Sequence, residues 1–149
     1  MVKIKILKED PRVEMPAKSH ADDAGFDLRA WLPEAGSIIV LKPGQRALIP
    51  TGIRFGIPAG YEVQVRPRSG LALKHGITIV NAPGTIDAGY IGPVGVIVLN
   101  TSSEDFTIRH GERIAQAVVA VIPDVVLEET SELEDSARGE GGYGSTGVS

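Results

Sequence analysis

The segment NAPGTIDAGY at 81–90 places an amide, Asn81, a short way before a carboxylate, Asp87. An Asn side chain both donates and accepts, so it can read the edge of a planar heterocycle such as a nucleobase. An Asp, with a reference pKa of about 3.9, is ionised near neutral pH and can polarise water. As plain structure, Asn81 ends a strand and Asp87 caps a turn. The segment is nevertheless denser in polar and turn residues than a minimal hairpin requires, which suggests a pocket.

Three other places carry groups suited to an anion. In VRPRSGLA at 65–72 a strand stops at Pro67 and hands over to a short helix opened by Ser69. A helix N-terminus beside Arg68 is an anion site, and a Ser N-cap with two solvated arginines is the equal alternative from this segment alone. In RGEGGYGSTG at 138–147 the glycines permit a backbone wrap whose N–H groups can cup phosphate oxygens, with Arg138 adding a cationic fork. The spacing resembles a phosphate loop whose Lys has become Ser145, but a true P-loop is not expected, because no strand precedes it and no helix follows. Asp27 in AGFDL at 24–28 lies within a strand, and Gln116 in GERIAQ at 111–116 lies inside an apolar run. Each needs a partner, since a buried polar group without one costs about 1 to 3 kcal/mol.

The elements that must hold these groups read as short strands. Residues 37–42, 45–49, 61–65, 76–80 and 94–100 are rich in β-branched side chains and bounded by Gly or Pro. Residues 114–122 are filled with apolar side chains without a 3.6-residue stripe, which favours a buried strand, and the alternating N-terminus reads as an opening strand. Only 69–75 looks helical. Strands at this spacing with no interleaved long helices predict an all-β fold, an antiparallel sandwich, barrel or jelly roll. From about residue 131 the chain turns acidic and then Gly-rich, so a domain over 1–130 and a flexible tail over 131–149 are expected.

Composition narrows the function. The 149 residues suit one domain, and 42% hydrophobic with 23% charged residues suits a globular chain. The net charge is −4 with no long basic stripe, which argues against polymeric nucleic acid and for a small phosphate ligand held by a few placed cations. Absence of Cys excludes disulfides, zinc thiolates and thiol nucleophiles, and the three His residues lack metal-ligand spacing. No run of about 18 apolar residues and no signal-peptide core is found, so no membrane contact and a cytoplasmic location are expected.

Taken in order, AGFDL at 24–28, RPRSGLA at 66–72, NAPGTIDAGY at 81–90, GERIAQ at 111–116 and RGEGGYGSTG at 138–147 resemble the five motifs of the trimeric dUTPase family. The resemblance implies a jelly-roll subunit and a homotrimer whose three active sites are each built from all three chains. It implies hydrolysis of dUTP to dUMP and pyrophosphate, supplying dUMP for thymidylate synthesis and keeping uracil out of DNA. Mg2+ would be held through the substrate phosphates and water. By the same resemblance, Asn81, the backbone of Thr85, Ile86 and Asp87, and Gly95 would hold uracil, while Tyr90 would lie against the deoxyribose and leave no room for a 2′-hydroxyl. Asp87 would be the general base that aligns water on the α-phosphorus. Arg68, Ser69, Gly70 and Gln116 would bind phosphates, with Asp27 supporting them. Arg138, Ser145 and Thr146 would hold the γ-phosphate while Tyr143 stacks on uracil.

Two positions depart from the commoner pattern: Ile91 stands where many members carry a polar residue, and Pro93 stiffens the next turn. They bear on ion pairing around the hairpin. The nearest rival is a dCTP deaminase of the same fold, which relies on a Glu on the strand after the hairpin, and 94–101 contains no carboxylate. A non-catalytic nucleotide-binding trimer is the rival from another class, though a purely structural trimer has no use for Asp87 or for the tail.

Overall fold

A computed structural model describes residues 1–142 of the chain. Eleven strands and one helix follow one another as β1 (Lys5–Lys8), β2 (Gly25–Arg29), β3 (Ile38–Leu41), β4 (Arg46–Pro50), β5 (Ile53–Gly56), β6 (Tyr61–Arg66), α1 (Ser69–His75), β7 (Ile77–Ile79), β8 (Gly84–Ile86), β9 (Gly95–Asn100), β10 (Phe106–Arg109) and β11 (Arg113–Val121) among the described residues. The expected strands are present with boundaries shifted by a residue or two; Val80 falls outside β7, for example.

All described ladders are antiparallel. The larger sheet runs β2-β11-β6-β8 and the smaller β4-β9-β7, with two-stranded ribbons β1-β5 and β10-β3 beside them. Along β9 the side chains alternate, with Val96, Val98 and Asn100 buried and the residues between them half-buried, as a two-residue period requires. Leu28, Val63 and Ala115 of the larger sheet and Ile49, Val96 and Val98 of the smaller sheet belong to one apolar cluster. Two antiparallel sheets sharing one core give the jelly-roll architecture.

Asn100 is the polar member of that interior. Its Nδ2 donates to the carbonyls of Leu41 and Glu104 at 2.8 and 2.7 Å, and its Oδ1 accepts from the N–H and hydroxyl of Ser102 at 2.9 and 2.8 Å. The full burial of its amide is thereby compensated, and the end of β9 is tied to β3 and to the 102–104 turn.

Helix α1 starts differently from the Ser N-cap reading. Arg68 occupies the cap position in extended backbone, and no side chain caps the helix. Its C-terminus closes on Gly76 at φ 62°, a left-handed conformation that glycine adopts without cost, with the Gly76 N–H donating to the Ala72 carbonyl at 3.1 Å. No strand or helix follows Val121 among the described residues, and 123–140 are exposed. No helix among the described residues is long and apolar enough to cross a membrane.

Candidate active site

Two clefts collect most of the site residues expected from sequence. The first, about 300 Å³, is lined by Asn81, Gly84, Thr85, Ile86, Asp87 and Tyr90 from β8 and its flanking turns, by Gly95, Val96 and Ile97 from the start of β9, and by Leu48, Val65 and Ile79. Residues 81–90 are positioned from both sides, because β8 pairs with β6 through Thr85 and Gln64 while β9 pairs with β4 and β7. Gly84 is buried against the Asn81 amide, where an added Cβ would lie 3.1 Å from Asn81 Nδ2. The Ala82–Pro83 peptide is cis.

At the hairpin tip the Tyr90 N–H donates to the Asp87 carbonyl at 3.0 Å, closing a turn that presents the Asp87 carboxylate to solvent. Among the described residues this carboxylate makes no ion pair. The Tyr90 hydroxyl donates to the Pro93 carbonyl at 2.8 Å and folds the ring over Gly92, where a Cβ would stand 2.6 Å from Tyr90 Cζ. Ile91 is exposed; its carbonyl accepts weakly from Arg54 at 3.4 Å, and Arg54 pairs with Glu9 at 3.0 Å on the ribbon below. At Ile91 the hairpin is therefore held through backbone rather than through an ion pair of its own side chain.

The second cleft, about 290 Å³, is polar and is lined by Ser19, Asp23, Ala24, Gly25, Asp27, Arg68, Ser69, Gly70 and Gln116. Strand pairing sets Gln116 opposite both Asp27 and Arg66, so two motifs far apart in sequence share one face. The partners that Asp27 and Gln116 require are present. Gln116 Nε2 donates to the Pro67 carbonyl at 2.9 Å, and Asp27 sits between Arg68 Nε at 3.2 Å and Arg113 Nη1 at 3.1 Å. Asp23 accepts from the His20 backbone N–H at 2.9 Å, which holds its carboxyl below the ordinary range. Sequence alone does not single out Ser19, Asp23 or Arg113. Arg113 lies inside the GERIAQ segment, whereas nothing in the spacing marks Ser19.

The two linings share no residue. Arg138 lies in neither; its Nε donates to the Gly141 carbonyl at 2.8 Å within an exposed turn. Tyr143, Ser145 and Thr146 lie outside the described residues. Among the described residues no group of three or more His, Cys, Asp or Glu is arranged to hold a metal ion.

The family model for dUTPase matches residues 11–147. A deoxyuridine 5′-triphosphate nucleotidohydrolase from Caulobacter vibrioides is 52% identical over 99% of this chain and 94% of its own length. Among solved structures, the Staphylococcus bacteriophage 80alpha dUTPase with dUPNHPP is 30% identical, with a TM-score of 0.85 over 98% of this chain and 99% of that one. A dUTPase variant from an S. aureus phage phi11, described with a structural Mg(II) ion, is 25% identical with a TM-score of 0.77, covering 89% of this chain and 99% of that one. On its motifs, fold and full-length similarity, this chain belongs to the dUTPase family.

Proposed function

We propose that the protein hydrolyses dUTP to dUMP and pyrophosphate in the cytoplasm, with the hairpin cleft taking the deoxyuridine and the Arg68 cleft taking the phosphates. The observation that carries this reading is the hairpin cleft itself, in which Asn81, Asp87, Tyr90 and Gly95 converge within one lining. Asn81 and the β8 backbone pair with uracil, and the Tyr90 ring, held by its bond to the Pro93 carbonyl, packs against the sugar. Asp87 takes a proton from water as that water attacks the α-phosphorus, and pyrophosphate leaves. The work is mainly positioning and electrostatics, as in other phosphoryl transfers.

Arg68, Ser69, Gly70 and Gln116 receive the phosphates in the second cleft, and Asp27 holds Arg68. Mg2+ would arrive on the triphosphate, since this ion keeps several waters and binds largely through substrate phosphates. When bound, the ion neutralises phosphate charge. Separate linings for nucleoside and phosphate, and the position of Arg138 outside both, support a homotrimer in which neighbouring chains complete each site. In that assembly 131–149 forms the tail, and Arg138, Tyr143, Ser145 and Thr146 close over substrate bound on another chain. Pyrophosphate release from dUTP with Mg2+ tests the activity. Asp87→Asn should bind dUTP yet turn over at least about 100-fold more slowly, as loss of a general base implies. Near-normal kcat would remove Asp87 from that role, and no release by the unaltered chain would favour a binding trimer.

A further inference from the structure

The carboxylate that grips Arg68 is itself held from the other side. Asp27 Oδ1 meets Arg68 Nε at 3.2 Å, while Oδ2 accepts from Arg113 Nη1 at 3.1 Å and from the Ser19 hydroxyl at 3.2 Å. Arg113 Nη1 also donates to the Ser19 oxygen at 3.2 Å, so Arg113, Ser19 and Asp27 close a triangle. Asp27 is 17% exposed and Arg68 27%, so that pair is partly shielded from water, while Arg113 at 41% meets it from the solvent side.

A backbone irregularity brings Arg113 there. The pairing of β11 with β2 slips between Arg113 and Ala115, and the consecutive residues Ile114 and Ala115 are both buried. Two successive inward side chains break the alternation of a strand, so beyond the bulge Arg113 emerges on the face of Gln116 and Asp27 instead of the opposite one.

Resting on the phosphate reading of the second cleft, we propose that Arg113 is a positioning residue for that cleft, holding Asp27 so that Asp27 orients Arg68 without cancelling its charge. Arg113 is absent from the cleft lining; its side chain acts through Asp27, while its backbone carbonyl accepts from Arg68 Nη1 at 3.4 Å. With Nε engaged by Asp27 and Nη1 on the Arg113 carbonyl, Nη2 is the group Arg68 keeps for a phosphate. Charge points the same way. Asp23 and Asp27 together outweigh Arg68 alone, which would repel a polyanion, and Arg113 restores the balance.

The test is a double-mutant cycle on dUTP hydrolysis by the full chain with Mg2+, with a melting curve for every variant. Arg113→Gln should lower kcat/KM by about 10-fold, mostly through KM. Arg113→Lys keeps the charge but carries it on a different head group and stem, and should recover part of the loss. Adding Arg113→Gln to Arg68→Gln should cost less than about twofold more, because Arg68 is no longer there to be oriented. A merely structural role predicts full additivity with a lowered melting temperature. Additive losses, or unchanged kcat/KM in Arg113→Gln, would overturn the proposal. Unchanged kcat/KM in Arg68→Gln would instead overturn the phosphate reading and this inference with it. If Arg113→Gln does not fold, the same cycle run with Arg113→Lys decides on the same criteria.

Discussion

Gly92→Ala should damage sugar recognition through Tyr90 without unfolding the protein. A Cβ at this position would stand 2.5 Å from Tyr90 Oη, 2.6 Å from Cζ and 2.9 Å from Cε2, against an ordinary contact of 3.4 Å or more. Restoring 3.4 Å at Cζ moves the ring by roughly 0.8 Å, and the backbone cannot absorb this easily because Pro93 follows. Tyr90 is exposed, so the ring swings outward into water, giving up its bond to the Pro93 carbonyl at about 1 kcal/mol. A misplacement near 1 Å at a reacting centre can cost about 100-fold. The expected result is a fall in kcat/KM for dUTP of roughly 10- to 100-fold, with discrimination against UTP falling about 10-fold or more because the 2′ side opens. Steady-state kinetics on both nucleotides, with a melting curve, measure this. Tyr90→Phe, which keeps the ring and loses only the bond, should fall between the two. If Gly92→Ala keeps both kcat/KM and UTP discrimination, the ring does not exclude the 2′-hydroxyl.

Three further outcomes are expected. dCTP should be disfavoured by about 10⁴ to 10⁵ in kcat/KM, since acceptors meant for the uracil N3–H would be left unpaired, and dTTP should be refused sterically; comparable turnover of either would contradict the hairpin cleft as the base site. Deleting 138–149 should leave the melting temperature nearly unchanged, because residues 138–140 are exposed, and should cut dUTP turnover while weakening dUMP by no more than a stacked ring, about 1 to 3 kcal/mol; a change in size-exclusion mass would make the tail structural. Asp10 is hydrogen-bonded by the side chain and backbone N–H of Arg12, which lowers its pKa from 3.8 to about 2. Its stabilising contribution is thus present above pH 4 and fades as the pH falls toward 2. An NMR titration should show that midpoint, and Arg12→Ala should return it toward 3.8.

The strands were legible because their information is local. A run such as GVIVLN announces β9 through β-branched content and turn residues at its ends, and the lone apolar stretch of β11 reads as a strand because it lacks a helical stripe. Asp27 within a strand and Gln116 inside an apolar run could be flagged as needing partners, although which groups meet them depends on pairing between strands nearly ninety residues apart. Arg113 and Ser19 could not be read in this way. A bulge is a mismatch between two strands, and neither strand alone records it. The Ser69 cap misled because Ser is a frequent first-turn residue, whereas here the preceding Arg68 holds the cap position and its guanidinium turns to Asp27.

Strand β6 carries Val65 in one lining and leads, two residues past its end at Arg66, to Arg68 in the other. It acts as a fixed ruler between two surfaces that otherwise have no side chain in common. A side-chain replacement in the hairpin can change which base is accepted without reshaping the grip on phosphate, and the reverse also holds. Selection can therefore adjust preference and affinity as separate traits, while any change that slides β6 itself alters both together. On this account, drift among relatives should be freer in the side chains of each lining than in the register that spaces them.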